Sequence, residues 1–138
     1  MADRYYLDTC VWRDYFEGRS DRFRPLGEWA FSLIRQAIQK SDLLLVSDLV
    51  EEELLSAFDQ KDVDRIFSIL PQGMMVRIET ADVQLKEAIM IGKKFGVPVN
   101  DALHAVIARD EGAILVTRDK HFMGICEGLV VRKPEELI

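Results

Sequence analysis

The sequence predicts an α/β fold, a three-layer α/β/α sandwich around a central parallel sheet of about five strands. Short apolar segments alternate along the chain with longer segments whose apolar residues recur at helical spacing. The short segments are apolar throughout, as in parallel strands that are buried on both faces. The length of 138 residues suits one domain and is too short for two ordinary ones, so we expect a single domain over 1–138.

The N-terminal half predicts two strands and four helices. Apolar or aromatic runs mark the strands, helical spacing marks the helices, and proline and glycine mark helix ends. We expect a first strand at Tyr5–Leu7, then a helix from Thr9 to Phe16 that ends near Gly18, and a polar loop at Arg19–Arg24. Pro25 begins a second helix, which extends through Ile38 and is followed by a strand at Leu43–Val46. Ser47 or Asp48 caps a third helix that ends about Phe58, and a fourth helix runs from Asp62 through Leu70 and is closed by Pro71 and Gly73.

The C-terminal half predicts three strands and two helices. The second of these helices is apolar on nearly all sides, which predicts that it is buried. In chain order we expect a strand at Met74–Ile78, a helix at Ala81–Phe95 stopped by Gly96 and Pro98, a helix at Asn100–Glu111, a strand at Ala113–Val116, a helical turn at His121–Ile125, a strand at Leu129–Val131 and a turn beginning at Pro134.

Composition excludes several classes of protein. Nowhere does an apolar stretch approach the roughly 18 residues of a membrane span, and the N-terminus lacks a signal-peptide core. Cys10 and Cys126 lack metal-type spacing and are interpreted as reduced thiols, so we expect a cytoplasmic protein without membrane contact. The net charge of −6 has the wrong sign for gripping nucleic-acid phosphates. Either nucleic acid is not the substrate, or much of the negative charge lies in a metal pocket.

Three aspartates fall where a parallel sheet binds ligands, at the carboxyl ends of its strands. Asp8 ends the first strand, Asp119 follows the fourth, and Asp101 opens the buried helix that leads into the fourth. Helix capping explains each aspartate taken singly. Three carboxylates at one rim repel one another, however, and a divalent cation relieves that repulsion. Hard oxygen ligands suit Mg²⁺ or Mn²⁺ rather than zinc.

A fourth acid must come from Glu51-Glu52-Glu53. At about 100° per residue, the buried face of this helix comprises Leu49, Val50, Leu54, Ala57 and Phe58. Glu52 then points away from that face, while Glu51 and Glu53 lie on its two flanks. The small residues about one turn later, Ser56 and Ala57, leave room for a pocket beside Glu53. The helical spacing therefore favours Glu53 as the fourth acid.

Four segments along the chain occur in the order and spacing of a known family: Leu7-Asp8-Thr9, Val46-Ser47 with Glu53-Leu54, Asp101-Ala102, and Thr117-Arg118-Asp119 with Phe122. In these segments the chain resembles PIN domains, in particular toxin nucleases of the VapC type. The resemblance covers the whole chain and also selects Glu53. The chain departs from the family pattern at Cys10, where many relatives carry a small polar residue. A thiol at this position would weaken hydrogen bonding around a metal-bound water.

The resemblance implies a Mg²⁺- or Mn²⁺-dependent endoribonuclease, the toxin of a toxin–antitoxin pair, whose products carry 5′-phosphate and 3′-hydroxyl ends. Asp8 and Asp101 would be metal ligands. Asp119 would bind the metal directly or through water, and Glu53 would act through water or as a general base. Implied partners are RNA, a small antitoxin whose tail blocks the acidic pocket, and a second copy in a homodimer.

Supporting residues have alternative explanations in the sequence. Thr117 would orient Asp119 or a metal-bound water, or is an ordinary strand-end residue; Thr9 is similar, or caps the first helix. Arg118 would bind a substrate phosphate or a partner's carboxylate, or is a solvated arginine. We expect His104 to form a core or supporting hydrogen bond rather than to bind metal, and His121 to lie at the surface.

Other functions predict sequence features that can be checked here. A haloacid-dehalogenase-type phosphatase carries a second aspartate two residues after the nucleophile, where this chain has Cys10. A receiver domain needs a different arrangement of acids. A PIN-like scaffold without activity usually loses one or more of the acids, and all four are present here. A DNA nuclease or an RNA-processing nuclease that is not a toxin remains an alternative, because the metal chemistry does not read the 2′-hydroxyl.

Overall fold

The structure, a computed structural model that describes residues 2–138, alternates short strands with helices. Two short 3-10 turns, Lys120–Phe122 and Pro134–Glu136, complete it. The elements in chain order are β1 Arg4–Leu7, α1 Thr9–Glu17, α2 Leu26–Lys40, β2 Leu43–Ser47, α3 Asp48–Ala57, α4 Gln60–Phe67, β3 Met75–Ile78, α5 Asp82–Phe95, α6 Val99–Asp110, β4 Ile114–Val116 and β5 Val131–Arg132.

The five strands form one parallel sheet in the order β3-β2-β1-β4-β5. The chain builds the sheet outward from β1 to β3 and then returns to place β4 on the other side of β1. Leu7 aligns with Val116 across this junction. The direction of building reverses here, so the carboxyl ends of β1 and β4 border the crevice where such sheets bind ligands. The predicted α/β fold with its five-stranded parallel sheet is confirmed.

The core lies around the central strands β1, β2 and β4. Tyr6, Leu7, Leu45 and Leu115 are fully buried between the helical layers. All residues of α6 from Ala102 to Ala108 are buried, as its apolar circumference predicts. The first turn of α6, which carries Asp101, is therefore held rigidly at the carboxyl edge of the sheet.

Some predicted boundaries are wrong. The fifth strand begins at Val131 rather than Leu129, because the Leu129 N–H is used in a turn to the Cys126 carbonyl. Helix α4 begins at Gln60, because the Asp59 carboxylate accepts the Asp62 N–H at 2.9 Å and caps the helix earlier than expected. Strand β3 is partly exposed, since it lies at an edge of the sheet. Ala57 is exposed rather than buried, because α3 ends there.

Both cysteines are free thiols, Cys126 buried and Cys10 half-buried, as predicted. Across residues 2–138, no helix has the length and apolar character needed to cross a membrane.

Candidate metal centre

Asp8 both caps a helix and lines the crevice. Its carboxylate accepts the Thr9 N–H at 2.8 Å, and its own N–H donates to the Val116 carbonyl at 2.9 Å, which fixes the residue beside β4. Its Oδ2 accepts hydrogen bonds from Thr117 Oγ1 at 2.9 Å and from Cys10 Sγ at 3.3 Å. The carboxylate is thus held in one orientation at the junction of β1 and β4. Burial, with Asp8 as a further cause, raises the pKa of Cys10, so the thiol stays protonated and donates.

Thr117 joins Asp8 to Asp119. Besides donating to Asp8, its Oγ1 accepts the Asp119 N–H at 3.0 Å. Asp119 in turn caps the following 3-10 turn by accepting the His121 N–H at 2.9 Å. One buried hydroxyl therefore orients two of the predicted metal ligands.

Asp101 and Asp119 converge on His121. Its Nδ1 lies 3.3 Å from Asp101 Oδ2 and 3.3 Å from Asp119 Oδ1. His121 is exposed, as predicted, but no pattern in the sequence indicated that it bridges two of the acids. Burial raises the pKa of Asp101, and the negative charges of Asp119 and Asp8 raise it further, against the lowering effect of the His121 hydrogen bond. The Asp101 carboxylate therefore lies close enough to Asp119 and Asp8 for their negative charges to raise its pKa.

Glu53 projects from α3 toward the same crevice. Its Oε1 accepts hydrogen bonds from Thr9 Oγ1 at 2.7 Å and from His104 Nε2 at 2.6 Å. Burial alone would raise the pKa of Glu53, but the hydrogen bonds from His104 and Thr9 outweigh it and hold that pKa below its usual range. Glu52 is exposed, and Glu51 pairs with Arg77 on the opposite flank, as the helical spacing predicts.

A buried chain of hydrogen bonds supports His104 from behind. His104 Nδ1 lies 2.6 Å from the Tyr6 hydroxyl, which lies 2.6 Å from Ser47 Oγ, and Ser47 Oγ accepts the Val50 N–H at 3.1 Å. One arrangement supplies every bond with a donor: Ser47 donates to Tyr6, Tyr6 to His104 Nδ1, and His104 Nε2–H to Glu53. His104 therefore forms the supporting hydrogen bond predicted for it.

Tyr6 and Ser47 were not predicted at the site. Tyr6 belongs to an apolar strand and Ser47 has the ordinary signature of a helix cap, which it also is. One feature of the sequence could have indicated Tyr6: a tyrosine in a strand predicted to be buried needs a hydrogen-bond partner for its hydroxyl.

The acids of the crevice lack cationic neutralisation from lysine or arginine. Within residues 2–138, histidine supplies every ion-pair contact of the four acids: His104 for Asp8 and Glu53, His121 for Asp101 and Asp119. Ligand atoms lie within 4.8 Å of one another in two groups: Asp8 with Glu53 and His104, and Asp101 with Asp119 and His121. A hard divalent cation fits this donor set, because carboxylate oxygens predominate and their charge is otherwise unbalanced.

Arg118 pairs with carboxylates of this chain. Its Nε lies 3.4 Å from Asp14 Oδ2, its Nη1 lies 2.9 Å from Glu135 Oε1, and its guanidinium lies 5.4 Å from the centre of the Trp29 ring. The side chain is 15% exposed. Arg118 thus ties α1 to the C-terminal turn directly beside Asp119.

The comparison that decides the family is the match of the PIN domain family model to residues 5–127. The chain belongs to the PIN domain family. PIN domains are nucleases. Among curated proteins, no sequence matches significantly.

Solved structures share the fold at low sequence identity. VapBC2 from Rickettsia felis, bound to a DNA fragment from its promoter, is similar with a TM-score of 0.70 and 18% identity, covering 94% of this chain and 98% of that one. FitAcB from Neisseria gonorrhoeae gives 0.65 and 19%, covering 96% and 99%. A toxin–antitoxin complex from Klebsiella pneumoniae gives 0.64 and 21%, covering 94% and 97%. The PIN fold therefore spans nearly the whole chain.

Proposed function

We propose that residues 1–138 form one PIN-type domain that acts as a Mg²⁺- or Mn²⁺-dependent endoribonuclease, the toxin of a toxin–antitoxin pair. The observation that carries the proposal is a pair of neighbouring acid clusters, Asp8 with Glu53 and Asp101 with Asp119. Thr117 links the two clusters, and none of the four acids has a lysine or arginine partner among residues 2–138. Part of the net charge of −6 would lie in this acidic pocket, where a bound metal ion would neutralise it. The chain could then act on RNA although RNA is a polyanion.

Asp8, Asp101 and Asp119 would hold the metal. When bound, Mg²⁺ or Mn²⁺ supplies an activated water and offsets charge on the phosphoryl oxygens. Thr117 keeps Asp8 and Asp119 in fixed orientations by its two hydrogen bonds, and Thr9 does the same for Glu53. Arg118 holds α1, which Asp8 caps, against the C-terminal turn.

Glu53 is the candidate general base. Both of its hydrogen bonds within the described chain end on Oε1, so Oε2 is left to accept a proton from a water at the phosphodiester. Its lowered pKa keeps it ionised at neutral pH. His104 is a positioning residue, because it fixes the carboxylate while remaining buried behind it.

The assignment as a toxin is supported by structural neighbours that include a toxin–antitoxin complex. The expected partner is a small antitoxin that supplies an arginine or lysine to the four acids, none of which pairs with a lysine or arginine of residues 2–138. A homodimer is supported by exposed apolar side chains on α5, where Val83 and Met90 are each 71% exposed.

The test is cleavage of labelled single-stranded RNA, structured RNA and DNA in the presence of Mg²⁺, Mn²⁺ or EDTA. We expect cutting of RNA that needs metal and that Asp8→Asn and Asp101→Asn each abolish. Glu52→Gln, an exposed neighbour of Glu53 on the same helix, is the matched control and should cut normally. Cutting of DNA instead of RNA contradicts the ribonuclease assignment, and folded protein that cuts neither contradicts the nuclease assignment.

A thermal-unfolding series separates metal binding from activity. Metal at a hundred times its dissociation constant stabilises a folded protein by about 2.7 kcal/mol. We expect Mn²⁺ to raise the Tm of wild type and of Glu52→Gln, and to leave the Tm of Asp101→Asn almost unchanged. An equal rise in all three proteins would place the ion elsewhere.

A further inference from the structure

A second cleft opens directly beside Asp119, and its lining is basic. It has a volume of about 540 Å³ and lies beyond the carboxyl ends of β4 and β5. Thr117 and Asp119 belong to both this cleft and the metal centre. We call it the β5 cleft; its other walls include Lys120, Met123, Arg132 and Lys133.

Four cations line the β5 cleft, and one of them, Arg118, is paired with Asp14 and Glu135. The other three have no carboxylate partner among the described residues. Within residues 2–138, Lys120, Arg132 and Lys133 have no carboxylate oxygen within 4.0 Å, and Arg132 differs in this from most arginines of the described chain, which form ion pairs. All three side chains are exposed. They converge on one cleft in a chain of net charge −6, so the local charge opposes the overall one.

The acids of the cleft are already engaged. Glu135 accepts from Arg118 at 3.0 Å, and Glu136 accepts the backbone N–H of Lys133 at 2.8 Å. Asp119 faces Asp101 and His121 in the metal centre. Four cations and three acids line the cleft, so the cations are in excess and can bind an anion there.

We propose that the β5 cleft binds the backbone phosphates of single-stranded RNA on one side of the bond that is cut. The inference rests on the proposed function, because it takes Asp119 as part of the cutting site. Lysine and arginine contacts to phosphate supply most of the sequence-independent affinity for nucleic acid. The volume of the cleft lies in the range of pockets that hold a small ligand, so it has room for a nucleotide of a single strand.

The apolar wall of the cleft suits the same occupant. Met123 is 65% exposed and lines the cleft together with the cationic side chains. A nucleotide whose phosphate contacts Lys120 or Lys133 presents its base or ribose as an apolar surface, and a polarisable methionine packs against such a surface without sequence preference.

The test compares two triple variants with the same reduction in charge. The cleft variant is Lys120→Gln, Arg132→Gln and Lys133→Gln. The control is Arg35→Gln, Lys40→Gln and Lys61→Gln, whose side chains are also exposed but lie on α2 and α4. Binding of a fluorescein-labelled single-stranded oligouridylate is followed by anisotropy in Ca²⁺, across a series of KCl concentrations, and cleavage of the same RNA is followed in Mg²⁺ and Mn²⁺.

We expect the cleft variant to bind on the order of tenfold more weakly than wild type, and the control to bind within about twofold of it. For single strands the slope of log K against log salt has a magnitude of about 0.7 for each phosphate that the protein neutralises, so removing three cations should reduce that magnitude by about 2 in the cleft variant. Equal binding by both variants, with RNA still cut by wild type, would contradict RNA binding by the β5 cleft but not the proposed nuclease activity. Wild type that neither binds nor cuts the RNA overturns the proposed function and this inference together.

Discussion

His104 Nε2 lies 2.6 Å from Glu53 Oε1, and the imidazole is only 1% exposed. The imidazole is held on its other side by Tyr6, whose hydroxyl is bonded to Ser47 at the start of α3, the helix that carries Glu53. The carboxylate and its support thus form a closed circuit through β1, α6 and α3. Because buried polar groups are costly without partners, this circuit fixes the position of Glu53 more firmly than a surface contact would.

Removing the imidazole should lower kcat more than it changes KM. His104→Leu frees Glu53 Oε1 from its nearest donor, and we expect kcat to fall on the order of 10- to 100-fold, part of the 10²- to 10⁴-fold that a positioned base contributes. His104→Gln can place an amide N–H near the Nε2 position and should recover part of the activity. Steady-state cleavage kinetics on folded protein make the measurement. A His104→Gln variant no better than His104→Leu, or an effect confined to KM, would argue against a positioning role.

Glu53 should also make metal-free stability depend on pH. Its folded pKa is lowered, so its contribution to stability is present above the unfolded value of about 4.5 and is lost as pH falls through the folded value. In EDTA at pH 7, we expect Glu53→Gln to cost about 1 kcal/mol, a charged hydrogen-bond contribution discounted for partial exposure. Urea unfolding of both proteins at pH 7 and near pH 3 measures the difference. A gap between wild type and variant that widens at the acidic end would contradict the ionised, hydrogen-bonded Glu53.

The acids could be predicted from the sequence because simple rules place them. Asp8 and Asp119 directly follow strands, and parallel strands present their carboxyl ends to one crevice. Helical spacing excluded Glu52, which is exposed, and favoured Glu53. These inferences need only the local element and the direction of the sheet.

The hydrogen-bonded support of the acids could not be predicted in the same way. Tyr6 meets Ser47 and His104 across separations of 41 and 98 residues, and their side chains have ordinary local roles as strand and cap residues. Arg118 likewise meets Asp14 and Glu135 only through tertiary packing. The two-residue strand β5 was misplaced because its pairing with β4, not its own composition, sets its register.

Thr117 offers a test of how the metal ligands are oriented. Thr117→Val keeps the shape of the side chain but removes the hydroxyl that donates to Asp8 and accepts from Asp119. Loss of such an outer hydrogen bond typically lowers metal affinity or activity 10- to 100-fold, and we expect that range for Mn²⁺ affinity by calorimetry. Thr117→Ser retains the hydroxyl and should remain within a few-fold of wild type. Equal affinity in Thr117→Val and wild type would show that the hydroxyl does not orient the ligands.

Arg118 should matter first for stability, because it faces a carboxylate that is itself buried. Asp14 is 4% exposed, and burial raises its pKa while Arg118 and then Arg19 lower it. Arg118→Met leaves Asp14 with Arg19 alone, at 3.9 Å. Breaking a buried ion pair costs 3–5 kcal/mol, and the remaining arginine reduces that to about 2–3 kcal/mol, a fall in Tm of roughly 10 °C.

Adding Asp14→Asn to Arg118→Met should restore part of this stability, since the double variant no longer buries an unpaired charge. The recovery is measured as the coupling energy of a double-mutant cycle from urea unfolding at pH 7. Additive losses of stability, with no coupling between the two positions, would mean that Arg118 stabilises the fold through Trp29 and Glu135 rather than through Asp14.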